Sequence, residues 1–263
     1  MTPHLTRIDL YPIKSLDGLS VPTADILPSG ALQHDRTFAL FDQTGKFMNG
    51  KRSAAIHQVR SRFSSDCCSV TLGNATLDNG ATFHLTEDHA AIEAWFSDYF
   101  QQPITFQQNQ VMGFPDDTDS PGPTVISTAT LQAIADWYGL SLEETRKRFR
   151  TNLEIDGVPA FWEDQFFSAS GDPVAFQIGA VTLHGINPCQ RCVVPTRNPE
   201  TGEALQGFQK QFTEQRALTL PTGVARSRFN HFYRLAVNTR IPEQTERVLK
   251  VGEIVSLGAE AWA

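Results

Sequence analysis

Apolar and polar residues alternate in short runs over the first eighty positions, and turn residues close each run. Leu5–Tyr11, Thr37–Phe41, Lys46–Asn49 and Ser69–Leu72 read as strands, with Asp42-Gln-Thr-Gly45 as a turn between the second and third. A period of two turns one face of each strand inward, which is the pattern of a sheet or a barrel. The period then lengthens. Thr86 can cap a helix that begins at Glu87, and Ile92, Trp95, Phe96 and Tyr99 fall on one face of it, placed to cover the open side of such a sheet.

The pattern lapses between Gly113 and Pro123, where three prolines interrupt a run of aspartates, and the connection between two subdomains is placed there. Beyond it, helices are expected over Ala129–Tyr138, ending at Gly139, and over Ser141–Arg150, where Ser141 and Glu144 have capping-box spacing. These helices deliver Arg148, Arg150 and Asn152 to a loop. Strands return at Val174–Leu183 and Val248–Leu257, each with a glycine between alternating apolar residues, as in two similar hairpins. Leu205–Arg216 is polar on most faces and reads as a helix or a mobile flap. The expected fold is mainly β with a few helices (α+β): a β-barrel-like subdomain over residues 1–120, then a second β-barrel over residues 121–263.

With 40% hydrophobic and 19% charged residues, and with 18 glycines and 15 prolines spread along its length, the chain is turn-rich and globular, not disordered. Its formal charge is −7, yet basic residues gather at Lys51, Arg52, Arg60 and Arg62 and again from Arg146 to Arg150. Neither group is long enough to cover a duplex, so nucleic acid is not an expected partner, whereas a local basic pocket for a small anion is. The N-terminus lacks a secretory pattern and no apolar run approaches the ~20 residues of a spanning helix, so a cytoplasmic protein without membrane contact is expected.

Four cysteines, Cys67, Cys68, Cys189 and Cys192, are too few for a disulfide framework. The segment Asn187-Pro-Cys-Gln-Arg-Cys-Val-Val-Pro-Thr-Arg-Asn-Pro-Glu-Thr-Gly-Glu203 admits four readings. Zinc would need two further ligands, for which His184 and His231 show no ligand spacing. A dithiol redox centre wants the pair at a helix N-terminus, which Val193, Val194 and Pro195 disfavour. The cysteines can also be small buried hydrophobes. Finally, one thiolate can ligate a soft metal while Arg191 holds an anionic partner, the only reading that uses the cation.

This segment resembles the signature of the MOSC family, whose second cysteine, here Cys192, is the molybdenum ligand. Leu10-Tyr-Pro-Ile-Lys-Ser15, Gly30 and His34-Asp-Arg-Thr-Phe38 are similar to the β-barrel domain that precedes MOSC in the amidoxime-reducing branch, so the resemblance spans nearly the whole chain. It implies a MOSC N-terminal barrel over 1–120 and a MOSC domain over 121–263. It also implies the molybdenum cofactor (Mo-molybdopterin), with Lys14, Ser15, Arg36, Ser127, Thr128, Arg150, Asn152, Gln190 and Arg191 binding it and Cys192 as metal ligand and catalytic residue. Pyridoxal phosphate binding is a further attribute that such a resemblance admits. Gln190, Thr151 and Asn198 depart from the serine, proline and aspartate of many relatives.

The reaction implied is reduction of small N-hydroxylated compounds, hydroxylamines and amidoximes, by an oxidoreductase. The sequence shows no plant-type cysteine cluster, haem motif or dinucleotide fingerprint, so electrons are expected from a separate ferredoxin, flavoprotein or cytochrome. The alternative is a cofactor carrier or sulfur-transfer protein working through a cysteine persulfide.

Overall fold

A computed structural model describes residues 2–258. In chain order the first half forms β1 (His4–Leu10), β2 (Leu19–Val21), β3 (Thr23–Asp25), β4 (Phe38–Asp42), β5 (Val59–Phe63), β6 (Ser69–Asn74), β7 (Ala81–His84), helix α1 (His89–Phe100) and β8 (Ile104–Gln108). The second half forms β9 (Val125–Ser127), α2 (Thr128–Tyr138), α3 (Leu142–Phe149), β10 (Leu153–Asp156), β11 (Val174–Ile178), β12 (Val181–Gln190), α4 (Phe208–Leu218), β13 (Arg234–Arg240), β14 (Val248–Lys250) and β15 (Val255–Leu257). Strands dominate, as the alternation requires.

Eight strands share one sheet in the order β15-β11-β12-β13-β9-β10-β1-β2. Its two ends meet through a bridge between His4 and Ile254 and through Val255 N donating to Pro3 O at 2.9 Å, which curls the sheet toward a barrel. Leu5 and Ile8 of β1 are buried against Val125, Leu153, Ile155 and Val237, so the first strand of the chain lies inside the sheet of the second half. A separate core forms around Ile13, Leu40, Val70, Leu72, Ile92, Phe96 and Phe106, which closes the β5-β6-β7 and β4-β8 sheets under α1.

Several expected elements shift. Lys46–Asn49 contributes only a bridge from Phe47 to Phe41, made by Asp42 N donating to Lys46 O at 2.9 Å and Met48 N to Leu40 O at 2.8 Å. Helix α1 begins at His89, not Glu87: Asp88 occupies the cap position, and Thr86 Oγ1 is engaged with His84 Nδ1 at 3.1 Å. The Val174 stretch is a hairpin, β11 with β12, turning at Gly179 with φ +58°. The Val248 stretch is not a hairpin. Its two halves pair elsewhere, β14 with β3 and β15 with β11, with Gly252 at φ +94° between them. Leu205–Arg216 is no flap: α4 buries Phe208, Phe212 and Arg216.

Candidate functional site

Between the two halves lies a cavity of about 1180 Å³, and the basic clusters that are far apart in sequence converge on it. Lys51 and Arg60 enter from one side, Arg146 to Arg150 from the other, and Lys14, Arg36 and Arg191 from loops between. Twelve lysines and arginines line it against seven aspartates and glutamates, in a chain whose overall charge is −7. The cavity is therefore positive within a negative molecule, which focuses small anions toward it. Arg52 and Arg62 do not take part. Arg52 pairs with Asp42 at 2.8 Å outside the cavity.

Local backbone geometry aims the cations. Tyr11-Pro12-Ile13 leaves β1 and places Lys14 beneath the connection, where Nζ donates to Phe114 O at 2.7 Å and to Asp116 Oδ1 at 2.8 Å. Burial pushes the Lys14 ammonium pKa down, and the Asp116 carboxylate opposes that shift. Burial also works against the Arg36 charge, but Asp35 and Asp116 outweigh it and keep the guanidinium firmly protonated. Arg36 Nη2 donates to Arg150 O at 3.2 Å. Arg150 closes α3, and its guanidinium lies 4.2 Å from the Tyr11 ring centroid, with Nη2 shielded from water and without a partner. Burial lowers the pKa of Arg150, and Arg36 adds to that.

Asn152 is 3% exposed and fully engaged: Nδ2 donates to Asp9 O at 3.1 Å, while Oδ1 accepts from Thr124 N at 3.2 Å and Arg36 Nη1 at 3.4 Å. It fixes the position of Arg36.

The two thiols sit where β12 ends. Cys189 is the strand's penultimate residue, Gln190 is exposed beside it, and Cys192 lies in the loop before a short 3-10 turn at Val194–Thr196; both sulfurs belong to half-buried residues that line the cavity. No helix starts at the pair, so the dipole that a thioredoxin-type centre uses is missing. Among the described residues, no three His, Cys, Asp or Glu side chains group as a zinc site needs. The Arg191 guanidinium turns to the first of the two sulfurs: Nη1 lies 3.2 Å from Cys189 Sγ, while Nη2 donates to Phe149 O. Arg148, 4% exposed, ties this loop to α3 by donating to Pro195 O at 3.0 Å and Arg197 O at 2.6 Å.

Lys14, Ser15, Arg36, Arg150, Asn152, Gln190, Arg191 and Cys192 are thus brought together around one cavity. Ser127 and Thr128 are not. Ser127 is fully buried, and its oxygen caps α2 by accepting from Thr130 N at 3.1 Å, while Thr128 Oγ1 donates to Glu154 at 2.8 Å. Reading the sequence missed Tyr11, His57, Arg197 and Asp116, all of which line the same space, as does Arg148, which the helix pattern brings to the loop without a role. Tyr11 was within reach, since it precedes Lys14 in the quoted motif. Of the departures, Asn198 keeps the turn in the manner of aspartate: its Oδ1 accepts from Glu200 N at 2.8 Å and Thr201 N at 3.0 Å. Thr151, in the place of proline, offers its carbonyl to Tyr11 Oη at 3.2 Å.

Residues 123–256 match the MOSC domain, and residues 2–103 match the MOSC N-terminal beta barrel domain. The chain belongs to the MOSC family. This MOSC protein is similar to the molybdenum cofactor sulfurase of Drosophila mojavensis, 23% identical over 234 residues, which covers 77% of this chain and 29% of that protein. It is also similar to the molybdenum cofactor sulfurase of Solanum lycopersicum, 24% identical over 292 aligned residues, 95% of this chain and 35% of that protein. The chain spans about a third of the length of these relatives. Among solved structures it is similar to the YUAD protein from Bacillus subtilis, with a TM-score of 0.36 at 10% identity over 97% of this chain and 94% of that one, a likeness too loose to bear on function.

Proposed function

We propose that this MOSC protein binds the molybdenum cofactor through Cys192 and reduces N-hydroxylated compounds with electrons from a separate donor protein. One observation carries the reading: Cys192 lines the same cationic cavity as Lys14, Arg36 and Arg150, which come from both halves of the chain. The names of the molybdenum cofactor sulfurases that it resembles support the cofactor.

The residues present suit such a group. A pterin with a phosphate brings acceptor oxygens, and this cavity holds buried donors without partners, Arg150 Nη2 and Arg191 Nε among them. Lys14, Ser15, Arg36 and Arg150 would hold the phosphate and the pterin, Gln190 and Arg191 would border it, and Cys192 would supply one thiolate. When bound, the cofactor supplies two-electron transfer at a soft metal. The protein's contributions are separate from that. Cys192 gives a fixed point of attachment on a loop that Arg148 pins to α3, and the guanidinium groups favour anionic ligands in a partly dry space. Asn152 keeps Arg36 in place. Lys14, the cavity's buried lysine, already donates to Phe114 and Asp116, which disfavours a pyridoxal Schiff base.

A second reading, carriage of the cofactor or of sulfur on a persulfide, draws on the relatives' names and on Cys189, whose sulfur lies beside Arg191 in the same cavity. The test uses protein purified from a host that makes the cofactor, assayed for molybdenum and then for reduction of a hydroxylamine and an amidoxime with an artificial donor. Cys192→Ser is expected to lose metal and turnover in a folded protein, and Cys189→Ser to keep most of both. Molybdenum bound without turnover would favour carriage; equal behaviour of the two variants would remove the single-ligand assignment.

A further inference from the structure

The cavity carries a second group of basic side chains, of which the cofactor assignment uses only Arg150. His57, Arg60 and Arg197 gather where the segment around residues 49–60 meets the loop around 194–202, with Arg150 on their inner side. Polar contacts to backbone carbonyls fix this seam: Arg60 Nη2 donates to His57 O and, at 3.1 Å, to Pro199 O, Gln58 Nε2 to Thr201 O at 3.4 Å, and Arg197 Nη1 to Gly202 O at 3.0 Å. Gly50 lets the imidazole pack against the backbone, since a Cβ there would lie 2.7 Å from His57 Nε2.

After these bonds are made, each arginine keeps one idle polar atom. Arg60 Nε, Arg150 Nη2 and Arg197 Nε are shielded from water and have no partner, three of the eight such side-chain atoms among the described residues, while His57 Nε2 faces the Gly50 backbone. Idle buried polar groups are costly, and their concentration at one place points to one missing partner. His57 is itself only 9% exposed. Burial, then Arg150, Arg197 and Arg60, depress its pKa to about 4, so the imidazole is neutral and cannot add to the charge. Among the described residues, the carboxylate in ion-pair range of Arg60 is that of Asp17, at 3.4 Å from Nη1. Three guanidinium groups with so little neutralisation call for an anion, and a planar or tetrahedral oxyanion offers several acceptors to such donors at once.

We infer that His57, Arg60 and Arg197, with Arg150 beside them, form a second oxyanion subsite that takes a phosphate or carboxylate group carried by a small-molecule ligand of the cavity. Resting on the function proposed above, this narrows the substrates to N-hydroxylated compounds that bear such an anionic group; the subsite itself stands independently of the reaction. It adjoins the Lys14, Arg36 and Asn152 group through Arg150, whose carbonyl accepts from Arg36 Nη2 at 3.2 Å.

The test is calorimetric titration of inorganic phosphate into the protein, both free of cofactor and loaded. The wild type is expected to bind phosphate in both forms, and Arg197→Gln to bind it about tenfold more weakly or worse. Arg60→Gln serves as a second variant should Arg197→Gln not fold. Binding unchanged in the folded variant would overturn the subsite. Binding present only in the cofactor-free protein would assign it to the cofactor's own phosphate and overturn the substrate role. With a matched pair of hydroxylamines, one carrying a carboxylate and one neutral, Arg197→Gln is expected to raise KM for the anionic compound alone. Phosphate binding that persists while neither compound turns over would remove the reductase reading and leave the subsite standing.

Discussion

Arg150 stands where a helix end normally recruits glycine. It closes α3 in the left-handed conformation, φ 53°, and three other non-glycine cavity residues, Ser15 at φ 76°, Arg36 at φ 50° and Ala75 at φ 60°, share that region of backbone space. Each such residue costs about 1 kcal/mol relative to glycine, and side chains are retained there when they are needed for something other than the turn. Arg150→Gly is therefore expected to melt at the wild-type temperature or above it while its molybdenum content falls. A lower melting temperature with the cofactor retained would make Arg150 a structural residue. A second buried charge system lies well inside the fold, where Arg216, 1% exposed, donates to Asp164 and Glu163 bonds Thr130 Oγ1 at 3.1 Å. Burial, with Asp164 beside it, raises the Glu163 pKa to about 7 from an ordinary value near 4.5. The folded state then holds a proton that the unfolded chain gives up, so this stability is complete below about pH 4.5 and is lost as pH rises through about 7. Glu163→Gln is expected to flatten the fall in stability between about pH 4.5 and 7, measured by urea unfolding against the wild type; an unchanged difference across that range would assign the residue no titration there.

The elements separate into those that their own sequence specifies and those that partners specify. Helices α2 and α3 fall within a residue or two of the pattern because local chemistry closes them: Ser127 and Ser141 cap their first turns, and Gly139 ends α2 at φ 63°. The expected capping box at α3 forms only on one side. Ser141 Oγ accepts from Glu144 N at 3.0 Å, but the Glu144 carboxylate turns to Arg148 at 2.7 Å, which in turn braces the thiol loop. Ser141→Ala is expected to cost about 1 kcal/mol, read from chemical denaturation, without altering metal content. Strands behave otherwise. The Val248–Leu257 stretch carries the same alternation as the β11-β12 hairpin, yet its halves pair with β3 and β11. Alternation fixes which side chains turn inward and says nothing about the neighbour, because any strand with a matching face satisfies the same backbone groups.

At the scale of the whole molecule, a positive cavity is held inside a negative chain by strands that cross between its halves, and no described helix is long and apolar enough to cross a membrane. The connection around Asp116 is part of that cavity. Lys14, Lys51 and Arg36 hold the Asp116 carboxylate well below its ordinary range, although its side chain is 63% exposed, so the acid partly neutralises the cations an incoming anion would meet. Asp116→Asn is expected to tighten phosphate binding to the cofactor-free protein severalfold at low salt, with the gain fading as salt screens the cavity. No gain at low salt would mean that Asp116 does not compete. The sequence by itself determined the kinds of element, the cap residues, the thiol segment and the existence of two basic groups, because those follow from residue type and short spacing. Only the tertiary structure decided that the two basic groups face one space, that Arg191 turns to Cys189, that Ser127 and Thr128 are used up in capping and in bonding to Glu154, and that His57 and Arg197 join across the seam. Those outcomes depend on distances between residues remote in the chain, and such distances are set by strand pairing and core packing that local pattern leaves open.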